Sequence, residues 1–332
     1  MPDFSCRFSH PMVNKAIMTL SPLGRQRLSI LIYHRVLREK DWMRPGTPTA
    51  VEFAWKMRML RRHFTFLPLP EAIRLLRNGA LPPRAACVTF DDGYADNFTV
   101  ALPILQRYAI PATVFVATGF LDGGRMWNDT VVESLRYHPT EVLDLSEFGL
   151  PVYVTDTGLA RRRAAYDIIM HCKYLEPIRR RDIIESVVGR TRGLPDDLML
   201  TTTQLRDLHR QGVEIGGHTC FHPILSSLSL TRAREEIIGG KNQLEDIIGE
   251  PLRLFAYPNG RPNQDYLQEH VALVKEAGFE AAVSTQWGVA GPRSDPFQLP
   301  RFTPWDKSST KFLLRMALNS CRVAPPGGVA PC

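Results

Sequence analysis

The sequence predicts an α/β protein built on a parallel sheet, and three observations carry that prediction. Short apolar runs rich in β-branched residues alternate with amphipathic stretches of helical period along most of the chain. Several of those runs stop abruptly at Gly or at charged residues, as strands do at a sheet edge. No repeat in the range of about 20–50 residues competes with this pattern. The bulk numbers agree: 332 residues, 44% hydrophobic and 23% charged, suit one large α/β domain with insertions or two smaller ones.

The elements follow in order. Leu28–Tyr33 is a strand candidate ending in His34 and Arg35. A helix is expected from Val51 to about Arg62, with Phe53, Met57 and Leu60 on its apolar face. Residues 65–69 read as extended, 71–78 as a helix, and 85–90 as a buried strand of small, β-branched and aromatic residues. A mostly helical stretch over 97–108 precedes a β-branched strand at 112–117. Later strands are expected at 213–215, 252–256 and 281–284, with helices over 231–248 and 263–277, the second capped by Gly278. The alternation breaks between Met126 and Arg210, which reads as a mainly helical insertion.

The ends look different. Residues 1–26 contain no continuous apolar segment of the signal-peptide kind and are read as a disordered leader, leaving 27–312 as the folded domain. Residues 313–332 finish in VAPPGGVAPC and are expected to form a flexible tail. No stretch approaches the roughly 18 apolar residues of a membrane span. Six cysteines without CxxC spacing suggest free thiols in a reducing compartment, hence a cytoplasmic location. The net charge of +7 gathers visibly at Arg161–Arg163 and Arg179–Arg181, inside the insertion. No nucleic-acid signature accompanies these clusters, and no nucleic-acid partner is expected.

Two stretches carry chemistry. In TFDDGYADN (89–97), Asp91 and Asp92 follow the 85–90 strand directly, at the edge where α/β sheets bind ligands. Two adjacent carboxylates repel, so either a cation compensates them or one of them caps the next helix, a role Asp96 could share. In HTCFH (218–222), His218 and His222 follow another strand, and Pro223 argues against one helix running through both. Two imidazoles and one carboxylate form a common ligand set for a catalytic divalent metal. Taken with the Asp pair, they favour a metal site at one sheet edge.

TFDDGYADN followed by HTCFH resembles the polysaccharide deacetylase (NodB-homology, carbohydrate esterase 4) family over about residues 28–305. FAYPNG (255–260) is similar to a third motif found in the branch whose first strand ends in YHRV, here 33–36. The resemblance implies a distorted (β/α) barrel, a metal that is usually zinc, and removal of N-acetyl groups from amino sugars of a polysaccharide or glycolipid precursor. A lipid-linked substrate would bring the protein to the inner face of the membrane as a peripheral contact. Hydrolysis of another non-peptide C–N bond and a catalytically idle carbohydrate-binding barrel are the alternatives. By the same resemblance, Asp91 is the general base, Asp92, His218 and His222 bind the metal, and the backbone N–H of Asn259 faces the oxyanion. Two positions depart from the family pattern. The Arg that orients the base is replaced by Ala256, for which Arg301 in LPRF is the expected substitute. No histidine follows His270, so His34 is the candidate general acid. Trp127 is a candidate sugar-stacking residue, Tyr94 and Trp287 are candidate cleft residues, and His171, His209 and His270 read as helix-surface residues.

Overall fold

The computed structural model describes residues 26–189, 191, 193–303 and 306–320. The expected leader (apart from residue 26) and the last twelve residues of the expected tail lie outside this set. Strand β1 is Leu28–Tyr33; helix α1, Ala50–His63, starts at Thr49 in a capping box with Glu52. Strand β2 (Thr65–Phe66), helix α2 (Leu69–Arg77) and strand β3 (Ala85–Phe90) follow. A π-helical turn at Asn97–Ala101 runs into helix α3 (Leu102–Arg107), then strand β4 (Ala112–Val116). The insertion comprises helix α4 (Trp127–Arg136), the antiparallel pair β5 (Val142–Asp144) and β6 (Val152–Val154), and helices α5 (Gly158–Cys172) and α6 (Pro177–Val188). Helix α7 (Thr202–Arg210), strand β7 (Glu214–Gly217), helix α8 (Leu230–Ile248), strand β8 (Leu254–Ala256), helix α9 (Gln268–Glu276), strand β9 (Ala281–Val283) and helix α10 (Ser309–Ser320) complete the chain.

The main sheet runs β1-β3-β4-β7-β8-β9, all parallel, with β2 beside the start of β3. Residues 299–302 join its two edges. Leu299 bridges Val283 on one side and Phe302 bridges Leu31 on the other, so the sheet closes into the expected distorted (β/α) barrel. The two-residue period of a strand sorts the side chains. On β3, Ala86, Val88 and Phe90 pack outward with Phe53, Met57 and Leu60 of α1, whereas Ala85 and Cys87 face Phe115, Leu254 and Val283 inside the barrel. Leu69, Ala72, Ile73 and Leu76 of α2 join that interior cluster at the amino ends of the strands. The opposite, carboxyl rim is left for ligands.

Two boundaries differ from expectation. Helix α7 packs on β7 and α8 as a barrel helix, so the insertion ends before 202, and it contains the β5–β6 hairpin as well as helices. Residues 313–320 are not a flexible tail but the body of α10, with Phe312, Leu313 and Met316 buried. The apolar spacing 312, 313, 316, 317 is helical, and the Pro/Gly-rich segment beyond it masked that signal. The insertion has its own small core, built from Val131, Leu135, Leu143, Ile168 and Ile183 with Met43 from the β1–α1 loop. Arg44 of the same loop binds Asp129 at 2.6 Å and Glu133 at 2.5 Å, and Arg136 binds Asp41, which latches α4 to the barrel. No helix among the described residues is long and apolar enough to cross a membrane.

Candidate metal centre and catalytic cleft

Asp91 and Asp92 leave the end of β3 in opposite senses. Asp91 continues the inward series 85, 87, 89, so its buried carboxylate enters the barrel. There Arg301 grips it with both arms, Nη1 to Oδ1 at 2.6 Å and Nη2 to Oδ2 at 2.7 Å. The guanidinium is itself held by the Ser284 carbonyl at 2.9 Å and by Thr89 Oγ1 at 3.1 Å. Burial alone would raise the Asp91 carboxyl, but the Arg301 charge outweighs it and keeps the group below its ordinary range. Asp92 then takes a left-handed backbone (φ 76°), which turns its side chain out of the strand series and toward the rim.

At the rim, Asp92 Oδ1 lies 3.4 Å from Nε2 of both His218 and His222. This oxygen is buried and has no hydrogen-bond partner among the described residues. The three ligand atoms lie within 4.8 Å of one another. A tetrahedral ion at about 2.0–2.1 Å from each ligand sets its ligands about 3.3–3.4 Å apart, so both oxygen–nitrogen edges fit a small divalent cation. His218 lies 2.7 Å through Nδ1 from the Ala256 carbonyl, which can only accept; Nδ1 therefore carries the proton and leaves Nε2 free to ligate. Burial lowers His222 to about 4, so its ring is neutral, whereas His218, facing both Asp91 and Asp92, is held above its ordinary value despite burial.

The loop between the histidines is fixed from behind. Glu236 on α8 accepts from the N–H groups of Cys220 and Phe221 at 3.0 and 2.8 Å, and Thr219 Oγ1 accepts from His222 N–H at 3.0 Å. Gly240 lets α8 approach, since a Cβ there would sit 2.8 Å from the Thr219 carbonyl. Thr219 and His222 are left-handed as well, at φ 67° and 52°. With Asp92 and Asn259, four of the nine non-glycine residues of positive φ among the described residues thus belong to this one site, where strain is expected to be retained for function.

The remaining predicted residues can now be placed. Asn259 (φ 56°) lines the cleft; its carbonyl accepts from Thr285 at 2.6 Å, and its own N–H has no partner among the described residues. His34 is exposed at the end of β1, where its carbonyl anchors Asn97, and its ring lines the same cleft. Asp96 caps no helix. It ties Arg35 and the Val36 N–H to the turn after β3. The cleft has a volume of ≈ 360 Å³, and the insertion contributes Trp127, Asn128, Ile169, Met170, Lys173 and Arg180 to it. Tyr94 lines a neighbouring cavity that shares His34 and Asp92, with its hydroxyl on Asp129. Trp287 lines a different cavity beside α10. His270 is not a surface residue: it is buried, and Nδ1 accepts from the Leu267 N–H at the start of α9. Sequence reasoning missed Glu236, sixteen residues from Cys220, because no local pattern marks a helix residue that caps a loop.

The polysaccharide deacetylase family model matches residues 78–152 and 180–282, more than half of the chain. The gap between these segments falls within the insertion. The Bacillus subtilis protein YxkH is 20% identical over 277 residues, covering 83% of this chain and 70% of that one. The poly-beta-1,6-N-acetyl-D-glucosamine N-deacetylase of Staphylococcus epidermidis is 33% identical over 112 residues, only 30% of this chain and 38% of that enzyme. Among solved structures, the Streptococcus pyogenes deacetylase PplD in complex with acetate superposes with a TM-score of 0.59 at 20% identity, over 88% of this chain and 98% of that one. IcaB from Ammonifex degensii gives 0.57 at 21%, over 88% and 97%. Family model, fold and site geometry agree: the chain belongs to the polysaccharide deacetylase family.

Proposed function

We propose that this protein removes the N-acetyl group from an amino sugar, releasing acetate and a free amine. The observation that carries the reading is the pairing of a three-ligand cation cage with a second carboxylate, Asp91, that is not needed to bind the ion. A divalent cation, with zinc the best match for an O, N, N donor set, would supply Lewis acidity to the amide carbonyl and a more acidic water. Asp91 would serve as the general base that accepts the proton of the attacking water. Arg301 occupies one lone pair on each Asp91 oxygen and leaves others to accept, while fixing the carboxylate plane and keeping it ionised. The unpartnered Asn259 N–H faces the oxyanion that develops on the carbonyl. His34 delivers a proton to the departing nitrogen, without which an amide does not release its amine.

The name of the Staphylococcus epidermidis relative, an N-acetyl-D-glucosamine N-deacetylase, supports the choice of an N-acetyl amino sugar. The test is acetate release from a panel of N-acetylated oligosaccharides and lipid-linked sugars, with metal content determined on the same sample. Acetate in proportion to bound metal is expected. Metal-replete protein that releases none from any member would end the reading.

A further inference from the structure

The two arginine clusters of the insertion divide in the fold. Arg161 is spent on backbone carbonyls of Thr155 and Arg136, and Arg162 bonds the Trp42 carbonyl. Arg179 and Arg181 are exposed, the latter beside Asp182 and Glu185. Of the six, only Arg180 lines the catalytic cleft. Its guanidinium lies 5.0 Å from the centre of the Trp127 ring, and Lys173, the C-cap residue of α5, lines the same cleft.

Neither cation has an ion pair among the described residues, and the nearby Glu176 carboxylate is occupied with the Ile178 and Arg179 N–H groups. The cleft supplies no partner either. Among the described residues its only lining carboxylates are Asp91, gripped by Arg301, and Asp92, beside His218 and His222. A half-buried guanidinium that feels Glu176 only through space and pairs with no carboxylate among the described residues gains from a ligand that supplies one. Trp127 restrains the guanidinium by cation–π contact, and no hydrogen bond from it to the described residues competes with a planar or tetrahedral anion.

From this we infer that Arg180, supported by Lys173 and stacked on Trp127, forms a subsite for an anionic group of the substrate, so that the saccharide is acidic close to its N-acetyl group. The inference rests on the deacetylation reading and adds the substrate class. A hexuronate carboxylate within a polymer and a phosphate on the sugar share this chemistry.

The experiment is calorimetric binding to the metal-loaded full chain at low and moderate salt, with acetate release followed on the same samples. The probes are a neutral N-acetylhexosamine tetrasaccharide, an equally long oligosaccharide alternating N-acetylhexosamine with hexuronate, and N-acetylglucosamine 1-phosphate set against N-acetylglucosamine. At least one acidic probe should bind about tenfold or more tighter than its neutral counterpart, and salt should reduce that advantage. Arg180→Gln should remove the advantage, Lys173→Gln should reduce it, and Arg180→Lys should restore part of it. Arg179→Gln, which removes the same charge from an exposed position, should leave it intact. Which acidic probe wins identifies carboxylate or phosphate as the source. Equal binding of acidic and neutral probes overturns the subsite, as does an equal loss for both in Arg180→Gln. Turnover of neutral oligomers without charge preference removes the subsite and leaves deacetylation standing. Charge-selective binding with no acetate from any probe does the reverse.

Discussion

Replacing Arg301 by Met should destabilise the protein in a pH-dependent way, and the size follows from the barrel interior. Asp91 is 2% exposed and Arg301 1%, so removing the guanidinium leaves a nearly fully buried carboxylate without its paired charge. Breaking a buried pair in this way costs about 3–5 kcal/mol. The chain has one escape, which is to protonate Asp91. At pH 7 this costs about 4 kcal/mol, since each pH unit above an unperturbed value near 3.9 contributes about 1.36 kcal/mol. The two routes agree in size. The signs are opposite in the two proteins. In the native chain Asp91 is depressed, so the pair stabilises above the unfolded carboxylate value, and that contribution is lost as pH falls through the lower folded one. In Arg301→Met burial has lost its largest opposing charge and Asp91 rises, so the deficit is greatest at neutral pH and shrinks to about 1.5 kcal/mol near pH 5. Urea denaturation of metal-free protein at pH 5, 6 and 7 reads this directly. The double variant Asp91→Asn/Arg301→Met should be less unstable at pH 7 than Arg301→Met alone and nearly independent of pH. A deficit below about 1 kcal/mol, or one that does not change with pH, would refute the argument that Arg301 compensates a charged Asp91.

Four further outcomes are expected. Asp92→Asn, His218→Ala and His222→Ala should each lose bound metal with the fold retained, whereas Asp91→Asn should keep metal and lose about 10²-fold or more in turnover; metal analysis beside circular dichroism decides. His34→Ala should retain metal and fold but lose most amide hydrolysis while an activated ester is hit far less, and equal losses on both would return His34 to a structural role. Glu236→Ala should weaken metal binding by about 10–100-fold without touching a ligand, because it frees the Cys220 and Phe221 N–H groups that set the histidine loop; an unchanged metal affinity would contradict this. Asp41 is partly buried, which favours its neutral form, but Arg136, the Met43 N–H and Arg44 overcome this and hold it below its ordinary range. The latch on α4 therefore stabilises above the unfolded carboxylate value and fails as pH falls through the lower folded one, and Asp41→Asn should flatten that acid limb in a denaturation series.

The fold was legible because each β-branched run, β1, β3 and β4 above all, is buried along its whole length, and such strands announce themselves without tertiary context. The ligands were legible for a related reason: strand ends deliver them, so each lies beside a readable element. What stayed hidden depends on contacts distant in sequence. The latch joins Asp41 and Arg44 to Asp129, Glu133 and Arg136 across some ninety residues, and no local spacing encodes it. The hairpin β5–β6 has three residues per strand, too few for alternation to register. The division of labour among the arginines turns on helical phase within α5 and α6, which composition cannot supply.

The adjacent carboxylates Asp91 and Asp92 avoid repelling each other by a change of backbone region between them. Asp91 is the last inward residue of a β-series, while Asp92 is left-handed, so the two side chains leave in different directions, one to Arg301 and the other to His218 and His222. The same geometry accounts for Ala256. Its carbonyl, not its side chain, is used, taking the His218 Nδ1–H, and a long side chain is not what this position supplies. The guanidinium instead comes from the segment that closes the barrel, whose residues on either side of Arg301 bond β9 through Leu299 and β1 through Phe302. Orientation of Asp91 is thereby tied to closure of the sheet. A lesion at the seam, such as Phe302→Ala, should lower turnover through Asp91 before it disturbs the metal ligands, whose side chains make no bond to residues 299–302 among the described residues. Metal occupancy that falls in step with activity in Phe302→Ala would break that link.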